Sequence, residues 1–286
     1  MYDLTQRPQL DAEITRRTID FMRRSVAGGK PFYAYVPLTQ VHLPTIPHPD
    51  FAGRTGHGDF ADSVVETDHR LGQILDAVDE LGVRDNTIVV FTSDNGPDPT
   101  WPWQGSSGPW RGYYFTHMEG SLRVPFLVRW PGNIPAGGVS NEIVHQVDTF
   151  TTLARMTGAP VPSDRAIDGI DQTDFLLGKQ RKSNRDSVLA FVAERLEAVK
   201  WRNWKLAFYE ETRDWFGTPA KLTLPKLFNL VTDPKEEYPE ETLRNTWVMD
   251  RCLKAYREFY QSLKIYPAIP EGTRDPYIPP PRPTGG

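Results

Sequence analysis

The stretch Asn86-Thr87-Ile88-Val89-Val90-Phe91-Thr92-Ser93-Asp94-Asn95-Gly96-Pro97 constrains this chain more than any other. A β-branched and aromatic run that stops at an acid, an amide, a glycine and a proline reads as a buried strand delivering Asp94 and Asn95 into a loop. Open α/β sheets bind ligands at such strand ends. Adjacent side-chain oxygens suit a hard divalent cation, calcium or magnesium. An ordinary strand-ending turn uses the same residue types, so the motif gains meaning only from its neighbours.

Those neighbours alternate between helical and extended patterns. Leu10 to Ala27 is amphipathic and ends at Gly28-Gly29. Pro31 to Leu38 reads as an aromatic strand running into Thr39-Gln40-Val41-His42, which puts His42 just past a strand end. A second helix carries Val65, Leu71, Ile74, Leu75, Val78 and Leu81 and is closed by Gly82. Strand, helix, strand is the βαβ order of a helix-covered sheet. A long Trp, Gly, Ser and Pro loop follows, then the strand Phe126 to Trp130 and a helix from Val147 to Met156 closed by Gly158.

The character changes at the polar run Lys179 to Arg185, read as a solvated hinge. Beyond it, Ser187–Ala193, Ala198–Trp201, Trp204–Tyr209 and Lys226–Val231 read as short strands, and a helix spans about 240–263. The expected organisation is a main α/β unit over 1–180, a small antiparallel sheet with one helix over 181–265, and a proline- and glycine-rich tail over 266–286.

Composition closes off several classes of function. A net charge of −4 argues against a general nucleic-acid binder. No apolar run is long enough to span a bilayer and the first residues lack a signal-peptide core, so the chain reads as soluble with its compartment open. Cys252 is the single cysteine, which excludes an intrachain disulfide and reads as a buried, inert thiol.

Taken in order, the motifs resemble the sulfatase family, whose members have the alkaline-phosphatase-like α/β fold, a mixed sheet flanked by helices. Phe91 to Pro97 is similar to the family's second metal-binding segment. Met118-Glu119-Gly120-Ser121-Leu122-Arg123-Val124-Pro125 is similar to its Glu-Gly-Gly-x-Arg-x-Pro signature. Asp148-Thr149-Phe150-Thr151-Thr152-Leu153 matches its Asp-hydrophobic-x-Pro-Thr-Leu helix without the proline, and Leu227 to Glu236 matches its Leu-Phe-Asn-Leu-x-x-Asp-Pro-x-Glu strand. The likeness runs from about residue 9 to about 263.

The resemblance implies hydrolysis of sulfate monoesters, aryl or carbohydrate, with calcium held in part by Asp94 and Asn95. It implies that His42 helps expel the sulfated intermediate or protonates the leaving alcohol. Tyr114 stands where most relatives carry a sulfate-binding lysine, and His117 is the candidate to make up the missing charge. Arg111 and Trp110 are candidate substrate-binding residues; Trp101 and Trp103 extend a possible aromatic wall, with loop packing as the alternative. Glu119 and Arg123, four apart, are expected to pair and hold the loop.

The family's paired aspartates and its Cys-x-Pro-x-Arg segment, whose cysteine becomes formylglycine, do not occur here, and Cys252 has no Pro or Arg at the required offsets. The chain is therefore expected to correspond to a C-terminal portion and to be weak or inactive alone. Two alternatives stay open: a phosphate or phosphonate ester hydrolase of the same superfamily, and a non-catalytic remnant or binding module.

Overall fold

The fold is that of a computed structural model, which describes residues 3–164, 166–212 and 217–274. The far end of the expected tail, 275–286, lies outside the described residues.

The helices form where apolar periodicity places them. Helix α1 spans Leu10–Ala27 and α2 spans Asp59–Glu80. Met22, Ala77 and Val78 are buried between them, with Ile19, Ile74 and Leu81 packed alongside. Gly82, at a φ of 68°, turns the chain out of α2 in a conformation that favours glycine. Strand β1, Val89–Thr92, then runs antiparallel to β2, Phe126–Arg129, with Phe91 opposite Leu127. Helix α3 is the single turn Glu119–Leu122 between them.

Two expectations fail here. Pro31 to Leu38 forms no strand: it runs extended, with Tyr33 78% and Tyr35 80% exposed. Nor is β1 fully buried, since its residues are half-buried or exposed. The cause is shared: among the described residues β1 has a partner on one edge only, so no parallel βαβ pair forms.

Helix α4, Gln146–Thr157, begins with a reciprocal cap. The His145 ring accepts from Val147 N at 3.2 Å, and Asp148 accepts from His145 N at 2.9 Å. Asp148 is wholly buried and also takes a two-pronged contact from Arg185, at 2.6 and 2.9 Å. The run Lys179–Arg185 is thus no solvated hinge at its end, because Arg185 anchors it to α4. A one-turn α5, Thr173–Leu176, lies between.

The second block is an antiparallel meander of β3 (Ser187–Val192), β4 (Arg195–Trp201), β5 (Trp204–Tyr209) and β6 (Lys221–Asn229). Helix α6, Thr246–Ile265, covers one face with Val248 and the buried Cys252 against Val199, Leu206 and Leu227. Burial pushes the Cys252 thiol up to about 12, so it is inert. The other face, Ala190, Ala198, Ala207 and Phe228, packs against Leu122 of α3. Among the described residues no helix is long and apolar enough to cross a membrane.

Candidate active site

At the end of β1, Asp94 is exposed and Asn95 half-buried. Asp94 Oδ1 accepts from Asn95 N at 3.0 Å, and Asn95 Nδ2 donates to Gly96 O at 2.8 Å. Asp94 has no cationic partner among the described residues, and the Asn95 amide turns its donor to the backbone, leaving its oxygen for another ligand. These are hard oxygen donors of the kind calcium takes. Among the described residues no cluster of three or more His, Cys, Asp or Glu is placed to hold a metal.

Backbone hydrogen bonds stitch this loop to the signature. Gly96 N donates to Ser121 O at 2.8 Å, Tyr114 N to Pro97 O at 2.8 Å, and Gly120 N to Arg111 O at 2.7 Å. The approach is so close that a Cβ on Gly96 would sit 1.9 Å from Gly120 O. The structure therefore brings together the Asp94–Asn95 loop, half-buried Tyr114 and the Glu119 turn. Gln146 of α4 reaches the same loop through Ser93 O.

His42 is exposed on a loop held from α1 and the turn before it. Arg7, buried, donates to Thr39 O at 2.6 Å and His42 O at 2.7 Å, while Asp11 accepts from Thr39 N at 2.7 Å and Gln40 N at 2.9 Å. His42 Nδ1 lies 2.6 Å from Leu43 O, so Nδ1 carries the proton and Nε2 is presented outward.

Three other candidates are engaged elsewhere. Arg111 donates to Lys235 O at 2.7 Å, Glu236 O at 2.5 Å and Glu211 Oε1 at 2.6 Å, which ties the loop to the segment after β6. Its expected role as an anion binder gives way to this anchorage, because its fork is filled by protein acceptors. Trp110 lies under the Arg123 guanidinium, 3.9 Å from ring centroid to Cζ, as packing rather than open wall. His117, expected to be reachable beside Tyr114, is 1% exposed with Nδ1 2.9 Å from Glu197 Oε2, and no residue of the Asp94–Asn95 loop lines its cavity. Trp101 stands 82% exposed.

The anticipated Glu119–Arg123 pair forms at 2.5 Å. It belongs to a larger buried set that sequence spacing did not reveal. Lys200 Nζ lies 2.6 Å from Glu119 Oε2, and Lys205 Nζ lies 3.0 Å from Glu119 Oε1 and 2.9 Å from Glu236 Oε2. Lys205 also donates to His117 O at 2.9 Å, and Glu236 accepts from Glu119 N at 2.7 Å. Burial would raise the Glu119 carboxyl, but Lys205, Lys200 and Arg123 hold it far below the usual carboxylate range. Only Glu236, within the Asp-Pro-Lys-Glu motif, carried a sequence signal; the lysines carried none.

The fold and this joined pair of loops are those of an alkaline-phosphatase-like α/β scaffold. The Sulfatase profile matches residues 2–159, more than half of the chain, and the profile of the N-sulphoglucosamine sulphohydrolase C-terminal region matches 110–245. The chain belongs to the sulfatase family. It is 35% identical to the steryl-sulfatase of Mus musculus over 92% of this chain and 47% of that protein. It is 33% identical to the N-acetylgalactosamine-6-sulfatase of Canis lupus familiaris over 78% of this chain and 47% of that protein. The crystal structure of a sulfatase from Pseudoalteromonas sp. superposes with a TM-score of 0.86 at 32% identity, over 92% of this chain and 55% of that one. The chain spans about half the length of the curated relatives it matches.

Proposed function

We propose that this chain supplies the metal-binding and leaving-group side of a sulfate monoester hydrolase. The observation that carries the reading is the stitching of the Asp94–Asn95 loop to Tyr114 and to the Glu119 turn. Membership of the family, with relatives named for steryl and N-acetylgalactosamine sulfates, supports sulfate esters as the substrate class.

Asp94 and Asn95 are the metal ligands in this reading, for calcium, with magnesium as the smaller alternative. A bound cation would polarise the sulfate oxygens. Tyr114 donates a hydroxyl hydrogen bond to a sulfate oxygen where a lysine would have placed a charge. His42, its Nδ1 fixed on Leu43 O, works through Nε2, passing a proton to the leaving alcohol oxygen. Arg111 and Glu119 hold the loop and touch no substrate. Formylglycine has no place on these residues, because Cys252 is buried in α6 and no other cysteine exists.

The test joins residues 9–263 to the part of the Pseudoalteromonas sulfatase that this chain does not cover. With calcium, the chimera should release nitrophenol from p-nitrophenyl sulfate faster than from the phosphate, and Asp94→Ala should lower the rate by about 100-fold, the scale of one lost stabilising group. The unjoined chain should release little or none. A folded chimera that prefers the phosphate, or that ignores Asp94→Ala, would overturn the reading.

A further inference from the structure

The loop that carries His42 is framed by two buried charges that no other feature of the site employs. Arg7 lies in the turn before α1 and Asp11 in its first turn, and they are 4% and 1% exposed. The guanidinium faces three carbonyls. Arg7 Nη2 donates to Thr39 O at 2.6 Å and His42 O at 2.7 Å, and Nε donates to Pro44 O at 3.4 Å. The carboxylate faces the donors: Asp11 Oδ1 accepts from Thr39 N at 2.7 Å and Thr39 Oγ1 at 2.6 Å, and Oδ2 accepts from Gln40 N at 2.9 Å. Although the two stand four apart, a spacing that commonly lets opposite charges pair, no ion pair joins them among the described residues. Both are spent on the main chain of 39–44.

Charges of this kind are costly to strip of water, and apolar residues of similar size would cover a plain loop at least as well. What the pair supplies is direction. The planar guanidinium fixes the carbonyls it meets, and the two carboxylate oxygens fix successive amides. Thr45 Oγ1 closes the loop on itself, donating to Val41 O at 3.0 Å. The His42 ring is exposed, and its one printed hold is Nδ1, 2.6 Å from Leu43 O. That contact keeps the proton on Nδ1, whereas an unconstrained neutral imidazole favours Nε2. The tautomer therefore depends on where Leu43 O points. Leu43 lies between His42 and Pro44, whose carbonyls Arg7 holds.

We propose that Arg7 and Asp11 are positioning residues for His42: by fixing the main chain of 39–44 they aim Leu43 O at Nδ1 and turn Nε2 outward. That the presented nitrogen serves the leaving alcohol rests on the sulfatase reading above; the hold on the ring does not. Neither side chain touches substrate. A clamp of the same make holds a different loop and provides the comparison. Asp62, 1% exposed, accepts from Gly53 N at 2.7 Å, Thr55 N at 2.8 Å and Thr55 Oγ1 at 2.7 Å.

The test is nitrogen-15 NMR of the histidine rings in the chain itself, with the rings neutral, joined to amide hydrogen exchange. In the unsubstituted chain His42 should show the Nδ1–H form, and the Thr39 and Gln40 amides should exchange at least about tenfold more slowly than unbonded loop amides, the weight of one hydrogen bond. Asp11→Asn keeps the size but turns an N–H toward a donor, and Arg7→Lys keeps the charge but loses the fork. Each should lower the ratio of Nδ1–H to Nε2–H at His42 by about tenfold. Asp62→Asn disturbs as many bonds in the other loop and should leave that ratio where it was. An Nε2–H ring or freely exchanging Thr39 and Gln40 amides in the unsubstituted chain would overturn the proposal, and so would a ratio that ignores both variants or that Asp62→Asn moves equally. The first two readings need no substitution, so a variant that fails to fold does not shield the proposal. Sulfate cleavage enters none of them, so this proposal and the Asp94 dependence of the chimera fail separately.

Discussion

Lys200 and Lys205 stand directly opposite each other across β4 and β5, an arrangement that like charges avoid unless an anion lies between them. Glu119 is that anion, and Glu236 balances the second lysine. Replacing Lys205, which is wholly buried, with Met should leave both carboxylates buried without their shared cation and cost about 3–5 kcal/mol in urea unfolding. The double variant Lys205→Met with Glu119→Gln should recover part of that loss; a single variant as stable as the parent would refute the account. Acid should attack the same groups. Glu119, Glu197 and Asp148 titrate below their ordinary values in the fold, so the native state binds fewer protons than the unfolded chain there. Their stabilisation is whole above about pH 4.5, the ordinary glutamate value, and drains away as pH falls through the lowered ones. His145, lowered from 6.5 by burial and Arg185, starts a smaller loss earlier, since the cap needs its ring unprotonated at Nδ1. Melting temperatures should thus decline gently from pH 7 to 5 and steeply below 4.5; a flat profile would contradict it. Glu119 and Arg123 were legible because a helical turn brings positions four apart together. Lys200 and Lys205 were not, because their carboxylates come from other segments, Glu119 from 81 positions before Lys200 and Glu236 from well beyond any helical or hairpin spacing after Lys205.

At the scale of elements, helices were readable and one strand was not. A helix satisfies its own backbone, so the apolar periodicity of α1, α2 and α4 sufficed to place them. A strand exists only beside another. Phe32 to Val36 has strand composition without a neighbour among the described residues, whereas the meander supplies its own partners and was visible in outline. The joint between β1 and α3 is the element-level feature that matters for the site. Gly96→Ala would drive a methyl into Gly120 O, and since backbone rather than a flexible side chain is in the way, the loop must part. The expected cost is about 3 kcal/mol, the upper range for overpacking, together with faster amide exchange at Gly96 and Tyr114. Unchanged exchange at both amides would show that the loops are not mechanically joined. In sequence this joint looked like two motifs, because the contact is between main-chain atoms and carries no residue signature beyond the glycines.

For the molecule as a whole, the boundary expected near 181 is weaker than composition suggests. The meander contributes Lys200, Lys205 and Glu236 to the environment of Glu119, receives Leu122 on its apolar face, and is held by Arg111 through Lys235 and Glu236. Residues 181–265 expressed alone should therefore lack a cooperative thermal transition and give poorly dispersed amide spectra. A sharp transition in that fragment would restore the view of an independent subdomain. Motif order revealed the family, while the burden each motif carries became readable only with the contacts in place. The extended segment near residue 33 has a practical consequence of another sort. Tyr33 and Tyr35 hold their phenol rings in open water beside an unpaired backbone, which makes them a built-in chemical footprint. Nitration of those two rings proceeds while the edge stays bare and stops when another strand is laid along it.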